Sequence, residues 1–325
     1  MALYLVTGVA GFIGSSIARE LVRRGERVRG IDNFSTGKRQ NLEGLLAHIE
    51  FGEADVTDLA TMRNACAEVD YVIHQAAIPS VPRSVEDPIG CNLTNVDGTL
   101  NVLVAARDAN VKRVIYASSS SLYGNAPSLP KTEDMIPSPV SPYAVAKLTG
   151  EYYMQSFYRV YGLETVSLRY FNVFGPHQDP TSMYSGVLAI FISRMLKGDL
   201  VTIHGDGEQS RDFTYIDNVV SANLLACHAP DSEVAGRFFN VATNQRVTLN
   251  QTFDLLKEMT AYRGTPQHGP ERRGDVRHSL ADISLAQKHI GYRPLVRFEE
   301  GLKRTVAWYQ ASEMAMAPVA RVSGL

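Results

Sequence analysis

Residues Thr7 to Gly14 read TGVAGFIG, closing an apolar run, Leu3–Thr7, and opening a stretch of helical period, Phe12–Arg24, that Gly25 ends. Gly8, Gly11 and Gly14 form G-x-x-G-x-x-G. Glycines at such steps let a backbone turn tightly, approach a bound pyrophosphate closely and aim helix N-terminal amides at its charge. A glycine triplet alone says little. The order strand, glycine turn, helix makes it a dinucleotide-binding turn and commits the chain to begin with a βα unit.

The first half continues in that manner. Leu3–Thr7, Arg27–Ile31, Tyr71–His74, Arg113–Ala117 and Glu164–Arg169 read as strands, several of them almost continuously apolar, as strands buried on both faces of a parallel sheet must be. Between them Phe12–Arg24, Asp58–Ala67, Asn92–Asn110 and Pro142–Tyr161 carry helical period. The alternation predicts an α/β fold, a doubly wound parallel sheet of Rossmann type, with a smaller α/β substrate-binding domain. After Asn172 the punctuation thickens (GPHQDPTS, HGDGEQS, RGTPQHGPERRGD), with helices expected at Met183–Leu196, Leu249–Tyr262 and Phe298–Gln310 and a return of chain to the sheet near Phe238–Val241. The domains expected are 1–172 for the dinucleotide, with a return near 212–242, then 173–211 with 243–312 for substrate, and a frayed tail at 313–325.

Composition excludes several classes. The 32 Lys+Arg against 34 Asp+Glu leave no basic field for nucleic acid or an anionic membrane. No apolar run reaches the roughly 18–20 residues of a membrane span, and the N-terminus lacks a basic leader and a cleavage site. Cys66, Cys91 and Cys227 are three, widely spaced and without CxxC, so neither a disulfide framework nor a zinc site is expected, and a reducing cytoplasm is. His177, His204, His268 and His278 read as scattered loop residues without metal-ligand spacing, Arg83 and Arg113 as surface charges, and Trp308–Tyr309 as part of a helix packing on the core.

Asp32 closes the second strand, where a carboxylate accepts hydrogen bonds from a ribose 2′-hydroxyl and repels a 2′-phosphate, which favours NAD over NADP. Lys38 and Arg39 follow closely and pull the other way, and Asp32 also suits a loop cap. Asp55, in EADVTD after a third strand, suits either the adenine edge or a helix cap.

Tyr143 and Lys147 lie in SPYAVAK, one helical turn apart and on one face. A free phenol titrates near about 10 and is a poor base at neutral pH; a nearby ammonium and a cationic nicotinamide would favour the phenolate. A fall of about three pH units asks for roughly 4 kcal/mol. Ser119, in ASSSSLYG, can hold the substrate oxygen through the proton transfer.

TGVAGFIG, SSSSLYG, SPYAVAK, RYFNVFG, GDGEQSRDFTYIDN and RRGDVRHSLAD occur in this order. Together they resemble the extended short-chain dehydrogenase/reductase superfamily, and within it the NAD-dependent sugar-nucleotide 4-epimerases. The resemblance spans about residues 3–310. It implies NAD+ held throughout the cycle, Tyr143 taking the proton of the sugar 4-hydroxyl, a 4-keto sugar that swivels beneath a fixed nucleotide, and hydride return on its other face. It assigns the dinucleotide to Gly8, Gly11, Phe12, Ile13, Gly14, Asp32, Asn33, Ser35, Thr36, Gly37, Asp55, Val56, Gln75, Ala76, Ala77 and Asn95, with Tyr143, Lys147, Tyr170 and Val173 near the nicotinamide. Arg211 and Arg272 match diphosphate-binding arginines, Asp275 a ribose contact and Asn172 a nucleotide-sugar contact; Ser80, Ser119, Ser120, Tyr143, Gly186 and Ser279 fall around the sugar.

Three details narrow the substrate. SSSSLYG holds no carboxylate, which disfavours dehydration and decarboxylation but not a UDP-uronate epimerase. Ser279 stands where glucose-only relatives carry a bulky Tyr, leaving room for an N-acetyl group. Pro79 replaces a Gly common in N-acetyl-preferring relatives, which points the other way. A UDP-hexose or UDP-N-acetylhexosamine 4-epimerase is therefore expected. UDP-glucuronate epimerisation is the nearest alternative, and a non-catalytic NAD-binding module is disfavoured because both Tyr143 and Lys147 are present. By family analogy a homodimer is expected, pairing the Asn92–Asn110 and Pro142–Tyr161 helices.

Overall fold

The computed structural model describes residues 1–180, 186–271 and 276–316, the side chains of 313–316 excepted. Among these residues the backbone is a parallel sheet of seven strands with helices on both faces. Leu3–Thr7 (β1), Arg27–Asp32 (β2), Glu50–Glu53 (β3), Tyr71–His74 (β4), Arg113–Ser119 (β5), Glu164–Tyr170 (β6) and Arg237–Val241 lie in the order β3-β2-β1-β4-β5-β6-(237–241). β1 pairs with β2 on one side and β4 on the other. The strand order reverses direction between β1 and β4, and the crevice opens at their C-terminal ends, the place where such sheets bind ligands. The return of chain expected near 238–241 is the strand that pairs with β6.

The period-2 pattern of β1 decides which layer each residue joins. Leu3 and Leu5 face a core with Met62, Val102, Leu103, Met154 and Phe157, under the helices Leu59–Cys66 (α2), Gly98–Asp108 (α5) and Pro142–Tyr161 (α6). Tyr4 and Val6 face the other core, with Ile17, Leu21 and Val219, under Phe12–Arg23 (α1) and Ile216–His228. Between β4 and α5 run two short helices, Val81–Glu86 (α3) and Pro88–Asn92 (α4).

Local sequence sets the helix ends. Asp58 accepts from Ala60 N–H and Thr61 N–H at the start of α2. Ser141 caps α6, Pro142 occupies its first turn, and Gly162 ends it at φ +72°. The single helix expected over Asn92–Asn110 is instead α4, a π turn at Leu93–Asp97, and α5. At that turn Asn95 faces inward, its Oδ1 accepting from Ile78 N–H (2.8 Å) and its Nδ2 donating to Ile78 O (3.2 Å). The helix expected from Met183 is observed over Val187–Lys197; 183–185 lie outside the described residues. Helix Phe298–Met316 runs beyond the expected end at Gln310 and into the expected tail, because EMAM continues with good helix formers; 317–325 are outside the description.

Two of the histidines expected in loops are in strands. Thr202–His204 pairs with Gln267–Gly269, carrying His204 and His268. Arg113 is not a surface charge. It is 2 % exposed, its guanidinium bonding Glu164, Asp231 and the carbonyls of Ala226, Cys227 and Ala229. An arginine opening a strand becomes buried when the C-terminal end of a helix, rich in unpaired carbonyls, packs over it. No helix among the described residues is long and apolar enough to cross a membrane.

Candidate active site

The glycine turn sits at the crevice, and packing explains its residues. Gly8 adopts φ +69°, and a Cβ there would lie 2.7 Å from Ala76 N; a Cβ on Gly14 would lie 2.1 Å from Gly8 O. Gly11 caps α1 without any side-chain bond, and the first turn holds no acidic residue. Unpaired amides at the positive end of a helix, behind a cradle that side chains would fill, fit a pyrophosphate.

Asp32 is buried and ties the loop as the cap reading expected. Its Oδ2 accepts from Ala10 N–H (2.9 Å) and its Oδ1 from Phe34 N–H (2.8 Å), tying the glycine turn to the loop after β2. The carboxylate also lines the cleft; burial raises its pKa and the two amides lower it. The two cations nearby are engaged: Lys38 pairs with Asp179 (2.6 Å) and Arg39 with Glu53 (2.7 Å). That arrangement suits a ribose diol rather than a 2′-phosphate.

The cleft has a volume of about 380 Å³. Gly8, Gly11, Phe12, Ile13, Gly14, Asp32, Asn33, Ser35 and Thr36 form one wall, Val56, Gln75, Ala76 and Ala77 the next, and Tyr143, Lys147, Tyr170 and Val173 the far end, with Ser80 and Gly186 at its rim. Three expected cofactor residues stand behind this wall. Gly37 packs against the Asp32 carboxylate. Asp55 accepts from Thr57 N–H and Thr57 Oγ1 and from Asn33 Nδ2, while the helix cap is Asp58. Asn95 holds Ile78. Thr94, Gln178 and Asp179, none of them singled out from sequence, line the cleft, and so does Arg83. Arg83 is therefore not a plain surface charge; α3 turns it into the crevice. A neighbouring cavity of about 240 Å³, sharing Val173, Gln178 and Gly186, is lined by Asn172, Phe191, His204, Arg211, Phe213 and Leu249. Asn172 reaches it from a left-handed backbone (φ +36°), its Nδ2 donating to Asp212 O (3.1 Å). Ser279 N–H donates to Ser210 O (3.0 Å); Ser119, Ser120 and Ser279 line neither cavity. Arg272 and Asp275 lie outside the described residues.

At the end of the cleft the candidate chemical groups meet. Lys147 is 3 % exposed, and its Nζ donates to Ala117 O (2.8 Å) and lies 5.9 Å from the centre of the Tyr143 ring. Burial pulls its pKa down to about 8. Burial pushes the Tyr143 phenol up to about 12, against the Ser119 hydroxyl beside it, which favours the phenolate. The expected fall needs the ammonium together with a cationic nicotinamide; in the chain by itself desolvation sets the direction. His74, one strand away, is buried and held neutral, its pKa pulled down to about 3 by burial, between Thr7 Oγ1 (2.7 Å) and Thr99 Oγ1 (3.0 Å). Thr7 in turn accepts from Gln75 N–H and Ala76 N–H, which sets the wall opposite Gly8.

Residues 4–242 match the model of the NAD dependent epimerase/dehydratase family. The chain superimposes on the crystal structure of a UDP-glucose 4-epimerase with UDP-glucose from Thermotoga maritima, with a TM-score of 0.91, 42 % identity and coverage of 96 % of this chain and 99 % of that one. It superimposes equally on a UDP-N-acetylglucosamine 4-epimerase from Methanobrevibacter ruminantium in complex with UDP-N-acetylmuramic acid, with a TM-score of 0.90, 39 % identity and coverage of 96 % and 98 %. A UDP-glucuronate 4-epimerase of Thermodesulfobacterium geofontis is 34 % identical, over 95 % of this chain and 96 % of that protein. The chain belongs to the NAD dependent epimerase/dehydratase family.

Proposed function

We propose that this protein interconverts UDP-glucose with UDP-galactose, and UDP-N-acetylglucosamine with UDP-N-acetylgalactosamine, by 4-epimerisation. The observation that carries the reading is the Tyr143–Lys147 pair in the lining of the dinucleotide cleft, with Ser119 by the phenol, beside a second cavity with an arginine in its wall. On this reading residues 1–172 with 212–242 hold the dinucleotide, and 173–211 with 243–312 the nucleotide-sugar.

Gly8, Gly11, Gly14 and Asp32 would hold NAD+ in the cleft, and when bound it would supply reversible hydride chemistry and a positive charge near the Tyr143 phenol. The chain supplies the rest. Tyr143 takes the 4-hydroxyl proton, Ser119 holds the oxygen as it becomes a ketone, and Lys147 keeps a cation beside the phenolate. Arg211, with Arg272, grips the diphosphate, as guanidinium groups do. The 4-keto sugar turns about its link to that fixed diphosphate and is reduced on its other face, so no net oxidant is consumed.

Arg83 in the cleft wall favours a second reading, since its guanidinium would pair with the carboxylate of UDP-glucuronate. The deciding experiment assays NAD-loaded protein side by side on UDP-glucose, UDP-N-acetylglucosamine and UDP-glucuronate, and repeats it with Ser279→Tyr. Turnover of the first two, with loss of only the acetylated activity in the variant, is the expected result. Turnover of UDP-glucuronate alone establishes the second reading, and turnover of none overturns both.

A homodimer belongs to the same proposal. Val85, Ile89 and Leu93 on α3 to the π turn, and Val145 and Tyr152 on α6, are apolar and exposed on helices that pack side by side. Light scattering is expected to give twice the chain mass. The three cysteines are free and buried, which suits a cytoplasmic location.

A further inference from the structure

Three consecutive residues at the end of β5 face α6, opposite side chains one turn apart on a single face of that helix. Ala117 O accepts from Lys147 (2.8 Å), Ser119 stands by the Tyr143 phenol and favours its phenolate, and between them Ser118 Oγ donates to Glu151 Oε1 (2.5 Å). The middle tie carries no reacting group. Glu151 is clamped from behind by Arg169, whose Nε and Nη2 donate to its two carboxylate oxygens at 2.9 and 2.8 Å. Both side chains are 1 % exposed. Arg169 Nη1 donates to Tyr123 OH (2.8 Å), Tyr123 OH donates to Asn240 Oδ1 (2.7 Å), and Asn240 Nδ2 donates to the carbonyls of Lys131 and Asp282. The chain of bonds thus runs from beneath the Tyr143–Lys147 face to the segment that follows Ser279.

Burying an ion pair at this depth brings little net stability over well-packed apolar residues of similar volume. Its effect is geometric: a planar guanidinium fork admits one position of a carboxylate, and that carboxylate admits one position of Ser118. Ser118 and Ser119 are adjacent, so the Ser119 hydroxyl inherits the placement. We propose, on the reading of the site as an epimerase, that Glu151 and Arg169 are positioning residues that set the distance between Ser119 and Tyr143 through Ser118, and so tune the proton transfer without touching substrate.

The test uses NAD-loaded protein and three variants, Ser118→Ala, Ser118→Thr and Glu151→Gln. Ser118→Ala is expected to lower kcat about tenfold with KM for the UDP-sugar within about twofold, since small misplacements at a reacting centre act on the transition state. Ser118→Thr keeps the hydroxyl and is expected to restore kcat. Glu151→Gln is expected to lower kcat further at unchanged KM. Ultraviolet titration of the Tyr143 phenol, as a difference against Tyr143→Phe, is expected to move upward by about half a pH unit in Ser118→Ala, because the Ser119 hydroxyl moves away from the phenolate. That last measurement needs no turnover, so an enzyme inactive on every UDP-sugar sinks the functional reading while the phenol still reports on the positioning. Should Glu151→Gln fail to fold, the two Ser118 variants decide. Wild-type kcat and an unmoved phenol in Ser118→Ala, or no rescue by Ser118→Thr, overturns the proposal.

Discussion

The Lys147 ammonium and the Tyr143 phenol stand one turn apart on α6, Nζ 5.9 Å from the ring centre, with the ammonium anchored on Ala117 O. Burial acts on both in the direction that disfavours charge, holding the phenol at about 12 and the ammonium at about 8. A pH profile follows. Raising pH populates the phenolate, so kcat/KM climbs from acid pH; above about 8 Lys147 loses its charge, which offsets the further gain in phenolate, so the climb levels off. Tyr143→Phe is expected to lower turnover by about a thousandfold or more with NAD content unchanged; activity within tenfold of wild type removes Tyr143 from the chemistry.

The same burial makes Lys147 a source of instability. In the unfolded chain its amine titrates near its usual 10.5, in the fold near 8, so between those values the unfolded state binds more protons and stability rises with pH. Below about 8 the buried charge costs on the order of 3 kcal/mol. Lys147→Met is therefore expected to be inactive and yet to melt higher than wild type at pH 7 when both are free of NAD, the gap closing by pH 10. A lower Tm for the variant at pH 7 contradicts this.

Gly14→Ala places a methyl group where Gly8 O already is, 2.1 Å from the ideal Cβ position, so the turn must open. Loss of bound NAD and about 2 kcal/mol or more of stability are expected. Gly25→Ala is the control. Gly25 has φ +79° but open space around it, so about 1 kcal/mol of backbone strain and full NAD content are expected. Calorimetry and released-NAD absorbance separate the two.

Arg113→Met removes a buried guanidinium from the N-terminal end of β5, far from the cleft, and strands the carbonyls of Ala226, Cys227 and Ala229. A loss of about 3 kcal/mol in urea unfolding is expected, with kcat per folded molecule unchanged. A kcat effect in fully folded variant would mean that β5 transmits the change to Ser119.

Much of this arrangement was legible in the chain. β1, β4 and α6 run over the residues that apolar runs, Ser141–Pro142 and Gly162 predict, because buried parallel strands and helix caps leave local marks. The break in the Asn92–Asn110 helix had none: Asn95 reads as one more helical polar residue, and the Ile78 backbone that draws it inward belongs to another segment. Glu151 had a signal, a carboxylate one turn beyond Lys147 on a face otherwise committed to the core. Arg169 in RYFNVFG and Ser118 in the serine run had none that tied them to it.

The sequence by itself determined the sheet, the glycine turn and the Tyr143–Lys147 pair, since each depends on residues within a few positions of one another and on periods of two or 3.6. Tertiary structure alone decided that Arg113 is buried, that Arg83 faces the cleft, that Lys38 and Arg39 are spent on Asp179 and Glu53, and that Glu151 is gripped by Arg169. Those outcomes depend on which distant segments close over a side chain, and burial, unlike periodicity, is a property of the closed packing rather than of the neighbourhood along the chain.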